Sequence, residues 1–294
     1  MIIKEADDRA HDIKTLEALL THPDADVVIC KKITQQIKKI RVGLKGEKEA
    51  AYHINLHIRD SENWATIHDF RFQHADGFTQ IDHLMINRCM EILVCESKYW
   101  ANGIAINEHG EFISFYGKKA IGIKSPLEQV RRQRIFLQNM IMDKTIEVPR
   151  RFGISIKPNF HNAVLVSTNA RITRPENQIE GIDSIIKADQ ISSFINKKAE
   201  NGSSALTVLK TISRQSLEDF ANHIASFHKS QETDWHRKFG LTKSIPEMEE
   251  PLDDGHITKH KCESCNALLP IKVARYCWFN KDKFHSKLYC RACQ

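Results

Sequence analysis

Apolar side chains recur at helical spacing between residues 7 and 58, and the run breaks at His22-Pro23-Asp24, which predicts helices over roughly 7–21 and 28–58. The period then shortens to two. Segments 66–73, 78–87 and 91–99 read as strands, and 102–116 reads as a hairpin turning at Glu108-His109-Gly110. A new helix is signalled by Ser125 as N-cap, Pro126 at the first helical position and Glu128 to complete a capping box. Its buried stripe is expected to be Leu127, Val130, Leu137 and Ile141. Residues 163–167 read as a buried strand, and 184–200 as a short strand turning helical near Asp189. Residues 214–239 read as a helix, and 243–257, with Pro246, Pro251 and several acids, as a linker. This order predicts an α/β core followed by a small module, with boundaries at 1–41 (helical region), 42–200 (core), 201–257 (helical segment and linker) and 258–294 (module).

Charge changes the picture mainly at one end. The net charge is +6, and residues 258–294 carry eight basic against two acidic side chains, so the rest of the chain is neutral. A basic module on a neutral body suits a polyanionic partner, although a merely soluble surface would look similar. No stretch approaches the roughly 20 apolar residues of a membrane span. The acidic start lacks the apolar run of a secretory signal, so a cytoplasmic protein is expected.

Strand alternation singles out a set of charged residues. In 91–99 the residues Ile92, Val94, Glu96 and Lys98 share a face, and in 78–87 the residues Gln80, Asp82, Leu84 and Ile86 do. Charged groups that continue an apolar row cost free energy unless they are paired or bind metal. Glu47 heads the helical stripe that continues through Ala51, Ile54 and Ile58. It is either a third acid of the same cluster or a first-turn acid that helps the helix dipole. Two or three carboxylates suffice to hold Mg²⁺ or Mn²⁺, which polarises a phosphate and supplies hydroxide near neutral pH. Asp82 and Glu96 would be the ligands, with Lys98 orienting or deprotonating the attacking water or steadying the phosphate. His83, on the opposite face from Asp82, reads as structural. Arg131, Arg132 and Arg134 on the 125–142 helix are either phosphate contacts or a solvated basic face.

Five ordered blocks carry a resemblance: Gly46-Glu47, His68-Asp69-Phe70-Arg71, Gln80-Ile81-Asp82-His83-Leu84, Glu96-Ser97-Lys98-Tyr99-Trp100 and Ser125-Pro126-Leu127-Glu128-Gln129. Together, over roughly 40–145, they resemble the NERD (nuclease-related) domain of the PD-(D/E)XK nuclease-like superfamily. The resemblance implies a restriction-endonuclease-like mixed sheet flanked by helices. It places Asp82, Glu96 and Lys98 at the metal and catalytic positions, Glu47 at the accessory acid and Gln129 at a helix-borne glutamine. The turn at Asn87-Arg88-Cys89-Met90 lacks the family's frequent glycine, and Tyr99 replaces a common asparagine.

Cys262-x-x-Cys265 and Cys290-x-x-Cys293, separated by 24 residues, form a pattern for a structural Cys₄ Zn²⁺ site of the zinc-ribbon type, with two disulfides as the alternative. Alternating segments 271–279 and 284–289 predict a hairpin between the knuckles, with Cys277 as a spare thiol within it and His256 and His260 as alternative ligands. Lys272, Arg275, Lys281, Lys283 and Lys287, interleaved with Tyr276, Trp278, Phe279 and Tyr289, suit nucleic-acid contact, while some of the rings must form the small core.

The reading is therefore a metal-dependent nuclease with nucleic acid, expected to be DNA, as partner. Partner proteins or self-assembly stay open. The alternatives are a non-catalytic DNA-binding or adaptor protein on a nuclease-like fold, and an RNA binder acting through the ribbon alone.

Overall fold

The computed structural model describes residues 1–75, 77–117, 119–201, 211–241, 260–269, 271–279, 281–285 and 287–294. The segment expected to be a linker lies outside these. The chain divides into two compact units, Met1–Lys243 and Ser244–Gln294.

In the first unit the helical spacing becomes α1 (Ala10–Leu19) and α2 (Val27–Ile58), the latter started by the Asp26 carboxylate accepting from the Ile29 amide at 2.7 Å. Helix α2 runs unbroken through residue 41, so that position is not a break in the fold. The alternating segments form the strands β1 (Ile2–Lys4), β2 (Trp64–His74), β3 (Gly77–Asn87) and β4 (Glu91–Lys98). β5 (Ile104–Ile106), β6 (Phe112–Tyr116) and β7 (Lys119–Ile123) follow, then α3 (Pro126–Met142). The Ser125 hydroxyl accepts from the Glu128 amide as expected of the cap, and the Glu128 carboxylate itself binds Arg131. The short hairpin β8 (Arg150–Arg151) and β9 (Ile154–Ser155) leads into β10 (Asn159–Val166). Then come β11 (Ile172–Thr173), β12 (Ile185–Lys187), α4 (Ile191–Asn201), α5 (Arg214–Ser226) and α6 (Trp235–Phe239).

The main sheet has the order β1-β2-β3-β4-β10-β12. β2, β3 and β4 form an antiparallel meander, while β1 joins β2, β10 joins β4 and β12 joins β10, each in parallel. One face is covered by α2, whose Ala50, Ile54 and Ile58 pack with Met85, Leu93, Cys95, Ala163 and Leu165. On the other, Ile92, Val94, Val164 and Val166 pack with Val130, Leu137 and Met140 of α3 and Leu217, Phe220 and Ile224 of α5. This is the mixed sheet between helices that the resemblance implies, and the α/β core that the patterning predicts. A second sheet, β11-β5-β6-β7, accompanies it.

Four local readings are corrected. β1 and β7 were not foreseen; each is too short, at 3 and 5 residues, to show a clear period. The 214–239 helix is two helices, because α5 ends at Ser226 and α6 restarts after the Asp234 cap. The buried stripe of α3 is Pro126, Val130, Gln133, Leu137 and Met140, with Leu127 and Ile141 only half-buried.

Under α2 the sheet carries a buried polar pair. His68 Nδ1 lies 2.7 Å from His83 Nδ1, and His68 Nε2 lies 2.9 Å from Asn55 Oδ1. With Nε2 donating to the Asn55 carbonyl oxygen, Nδ1 accepts from His83, and this arrangement needs a neutral His68 ring. Burial holds His68 down to about 4 and His83 well below its usual range. His68 therefore takes up its proton near pH 6.5 in the unfolded chain but only near 4 in the folded one. Stability should fall by about 3 kcal/mol between these limits as pH drops. Urea unfolding at pH 7 and pH 5 checks this, and a His68→Gln variant should show the flatter dependence.

Candidate active site and metal centre

The antiparallel pairing of β3 and β4 ends at His83 and Cys95. Beyond it the amide of Ser97 finds no ladder partner and donates instead to Asp82 Oδ2 at 2.8 Å, with the Ser97 hydroxyl donating to the same atom at 2.7 Å. These bonds pin the buried Asp82 and leave Oδ1 unused by them. Glu96, also buried, has Oε1 on the Lys98 ammonium, and its Oε2 accepts from Gln133 Nε2 at 2.7 Å. Asp82, Glu96 and Lys98 thus sit together where the two strands diverge.

Glu47 reaches the same place from α2. Burial raises its pKa, the neighbouring charges of Asp69 and Glu96 add to this, and Arg9 and Arg71 oppose it. Asp82 is pushed well above the carboxylate range by burial, then by the charges of Glu96 and Glu47. α2 comes this close because residue 46 is glycine: a Cβ there would lie 3.0 Å from the Tyr99 amide nitrogen and 3.1 Å from its Cβ. The side chain of Glu49, two residues after Glu47, accepts from the amide and hydroxyl of Thr168 at 2.7 Å, which ties the same turn to the end of β10.

Several neighbours were not foreseen. Gln133, rather than Gln129, is the glutamine bonded to Glu96; Gln129 sits one turn earlier and half-buried. The Gln133 Oε1 atom is buried with no hydrogen-bond partner. Asp69 adopts φ of 51°, accepts from Gln80 Nε2 at 2.9 Å and pairs with the buried Arg71 at 3.0 Å. A left-handed aspartate inside a strand is a signal that could have marked this position only once its backbone was known. Of the arginines on α3, Arg131 is exposed and paired with Glu128, Arg132 is exposed and Arg134 is half-buried.

The donor set fits a hard divalent cation. Acidic oxygens crowd together with less positive charge than negative, one oxygen of Asp82 is unused, and an orphan amide oxygen adjoins Glu96.

In the second unit, taken by itself, the ligand atoms of Cys262, Cys265, Cys290 and Cys293 lie within 4.8 Å of one another, with Cys265 Sγ 3.7 Å from Cys290 Sγ. Tetrahedral zinc–thiolate bonds set sulfurs about 3.8 Å apart, so the cluster suits a closed structural Zn²⁺ site. Burial works against ionising Cys262, but backbone hydrogen bonds at Cys290, Cys265 and Ser264 bring it to about 6. The segment between the knuckles corrects the hairpin reading: it is helical, α7 (Ile271–Phe279) and α8 (Lys281–Phe284). Cys277 therefore lies on a helix, and its sulfur is 3.3 Å from the Tyr289 amide. Phe284 packs between Tyr276 and Tyr289, while Trp278 stands edge-on to His260. Lys283 lies over the Phe284 ring and Lys287 is exposed. The side chains of Lys272, Arg275 and Lys281, and His256, lie outside the described residues.

Residues 42–167 match a protein family described as the nuclease-related domain. No curated protein and no solved structure matches the chain.

Two outcomes follow from this geometry. Asp82→Asn removes one of three crowded charges while keeping an acceptor for Ser97, so without metal at pH 7–8 it should raise the melting temperature by a few degrees and should abolish the further stabilisation by Mn²⁺. Scanning fluorimetry with and without Mn²⁺ reads both. The purified protein should carry one tightly held zinc per chain, measured by metal analysis. Cys262→Ser should lose it and leave residues 260–294 open to proteolysis.

Proposed function

We propose, from the premise that residues 42–167 are a nuclease-related domain, that the protein is a divalent-metal-dependent nuclease hydrolysing phosphodiester bonds in DNA, its cysteine module helping to grip the strand. The observation that carries the reading is the convergence of Asp82, Glu96 and Lys98 at one strand divergence, inside the matched segment.

Asp82 and Glu96 would hold Mg²⁺ or Mn²⁺, with Glu47 adding negative charge beside them. The cation supplies Lewis-acid polarisation of the phosphate and a water acidic enough to attack near neutral pH. The chain's own residues do the rest. Ser97 fixes Asp82 so that only its second oxygen is free to turn toward a ligand. Gln133 and Lys98 each take one oxygen of Glu96, which sets the carboxylate's orientation. Lys98, the most exposed member of the trio, would orient or deprotonate the attacking water, or hold a non-bridging phosphate oxygen. Gln129 would meet the substrate from α3, beside Arg131, Arg132 and Arg134.

The deciding experiment is cleavage of linear, nicked and supercoiled DNA with Mg²⁺ or Mn²⁺. Asp82→Ala and Lys98→Ala should each lower the rate by about 10²-fold or more. If the wild type binds DNA but never cuts, and both variants behave as it does, the protein is a binding platform instead. Removing residues 258–294 should leave metal-dependent cutting in place but weaken binding and flatten its salt dependence, since that segment holds all the excess positive charge.

A further inference from the structure

β3 pairs with β2 along its whole length but with β4 only from His83 to Ile86. Residues 77–82 and their partners on β2 therefore form a two-stranded ribbon that continues past the end of the β3–β4 ladder, on the side of the acidic cluster. Period-two alternation puts Phe78 and Gln80 on one face of this ribbon, with Gln73 and Arg71 opposite them on β2. That face runs into the cluster: Gln80 donates to Asp69, Arg71 pairs with Asp69, and Asp69 is the neighbouring charge that weighs most on Glu47. At its outer end Phe78 is 53% exposed. It stands four residues, or about 13 Å, along the strand from Asp82.

A lone exposed phenylalanine is unremarkable on a protein surface, but this one stands on an anchored support. A Cβ on Gly77 would meet the Phe136 ring at 2.3 Å, so the ribbon's turn is pressed directly onto α3. His74 Nε2 lies 3.2 Å from Asp143 Oδ2 at the end of the same helix. On the other strand, Lys229 Nζ donates to the Gln73 oxygen at 3.2 Å. Gln73 is the cross-strand partner of Phe78, so an exposed cation is tied to the residue opposite the displayed ring. An exposed aromatic ring with an ammonium on its cross-strand neighbour, on a surface leading to a candidate phosphodiesterase centre, has the chemistry that receives an unpaired base and its phosphate.

We propose that Phe78 and Lys229 form a substrate subsite on the β2–β3 ribbon, in which Phe78 stacks on an unpaired base a few nucleotides from the scissile phosphate and Lys229 contacts the backbone. The inference rests on the nuclease reading and deepens it: the substrate class becomes single-stranded or locally opened nucleic acid. A duplex, whose bases are already stacked on each other, gains nothing from the ring.

The test uses the full-length protein carrying Asp82→Asn, so that binding is read without cutting. The probes are a single-stranded DNA oligonucleotide containing 2-aminopurine and its duplex. Phe78→Ala should weaken single-strand affinity roughly ten- to hundred-fold and abolish the quenching of 2-aminopurine. Phe78→Trp should restore both, and duplex affinity should be unchanged in either variant. Lys229→Gln should lower the salt dependence of single-strand binding without altering the quenching. Equal affinity of wild type, Phe78→Ala and Phe78→Trp for the single strand would overturn the subsite while leaving a cutting enzyme intact, as would equal losses on strand and duplex. Absence of any nucleic-acid affinity in the wild type would overturn the subsite and the nuclease reading together, and cleavage assays on the unsubstituted protein tell the two failures apart.

Discussion

The parting of β3 from β4 is the constraint on which the rest of the first unit turns. While two strands are paired, their amides satisfy each other and nothing polar need enter from the side. Past His83 and Cys95 the pairing stops inside a buried region, and the Ser97 amide must be met by something. Asp82 meets it with one carboxylate oxygen, at 2.8 Å. The divergence that removes a ladder bond thereby makes room for Glu96 and fixes an acid beside it. A buried carboxylate bonded in this way is well placed but poorly solvated, and its neighbours are acids too. The arrangement is therefore one that folding tolerates rather than one that folding favours, as expected of a site selected for chemistry.

Both helices that flank the divergence are shaped by it. α2 approaches the end of β4 more closely than a side chain at residue 46 would allow, and this delivers Glu47 to the cluster while Glu49 fastens the same turn to Thr168. α3 crosses the other face and lowers Gln133 onto Glu96. An amide suits that position because it donates to a carboxylate without adding charge. The cost is its second polar atom, Oε1, buried and unmatched within the protein. A buried acceptor beside two acids favours the presence of a donor such as metal-bound water, and this is the physical content of the proposed metal centre.

How much of this was legible beforehand depended on how local each signal was. The cap at Ser125, the period of α2 and the alternation in β3 and β4 are properties of a few consecutive residues, and they appear as read. Asp82, Glu96 and Lys98 could be brought together on paper because two strands of known facing leave little freedom. Gln133 could not. Residues 129 and 133 lie one turn apart on nearly the same side of a helix, and which of them stands over Glu96 is decided by how far α3 slides along the sheet, a tertiary quantity. Asp69 was equally hidden, since its role follows from a left-handed backbone angle that no composition announces. Residues 271–279 failed for another reason. Nine residues with aromatic and branched side chains fit a strand or a helix about equally, so the period alone does not choose between them.

The distribution of charge along the chain also bears on the proposed reaction. A nucleic acid approaching Asp82, Glu96 and Glu47 meets like charge, so the cluster by itself repels the substrate it would cut. Residues 1–243 carry 35 basic against 30 acidic side chains, residues 244–257 carry five acids and no base, and residues 258–294 carry eight basic against two acidic. The basic stretch at residues 258–294 contains the four cysteines, whose sulfurs lie within 4.8 Å of one another, and a zinc held by all four would leave no position open for catalysis. On the nuclease reading, long-range attraction comes from the basic stretch at residues 258–294 together with the first unit's own basic excess, and short-range charge cancellation from a divalent cation among the carboxylates. Raising salt should then weaken capture of the substrate far more than turnover of substrate already bound, because the first acts across solvent and the second within a buried cluster. Single-turnover cleavage measured from a preformed complex, beside steady-state cleavage at the same salt series, would separate the two. Parallel losses in both would mean that the buried cluster itself supplies the affinity and that the module's charge serves some other partner.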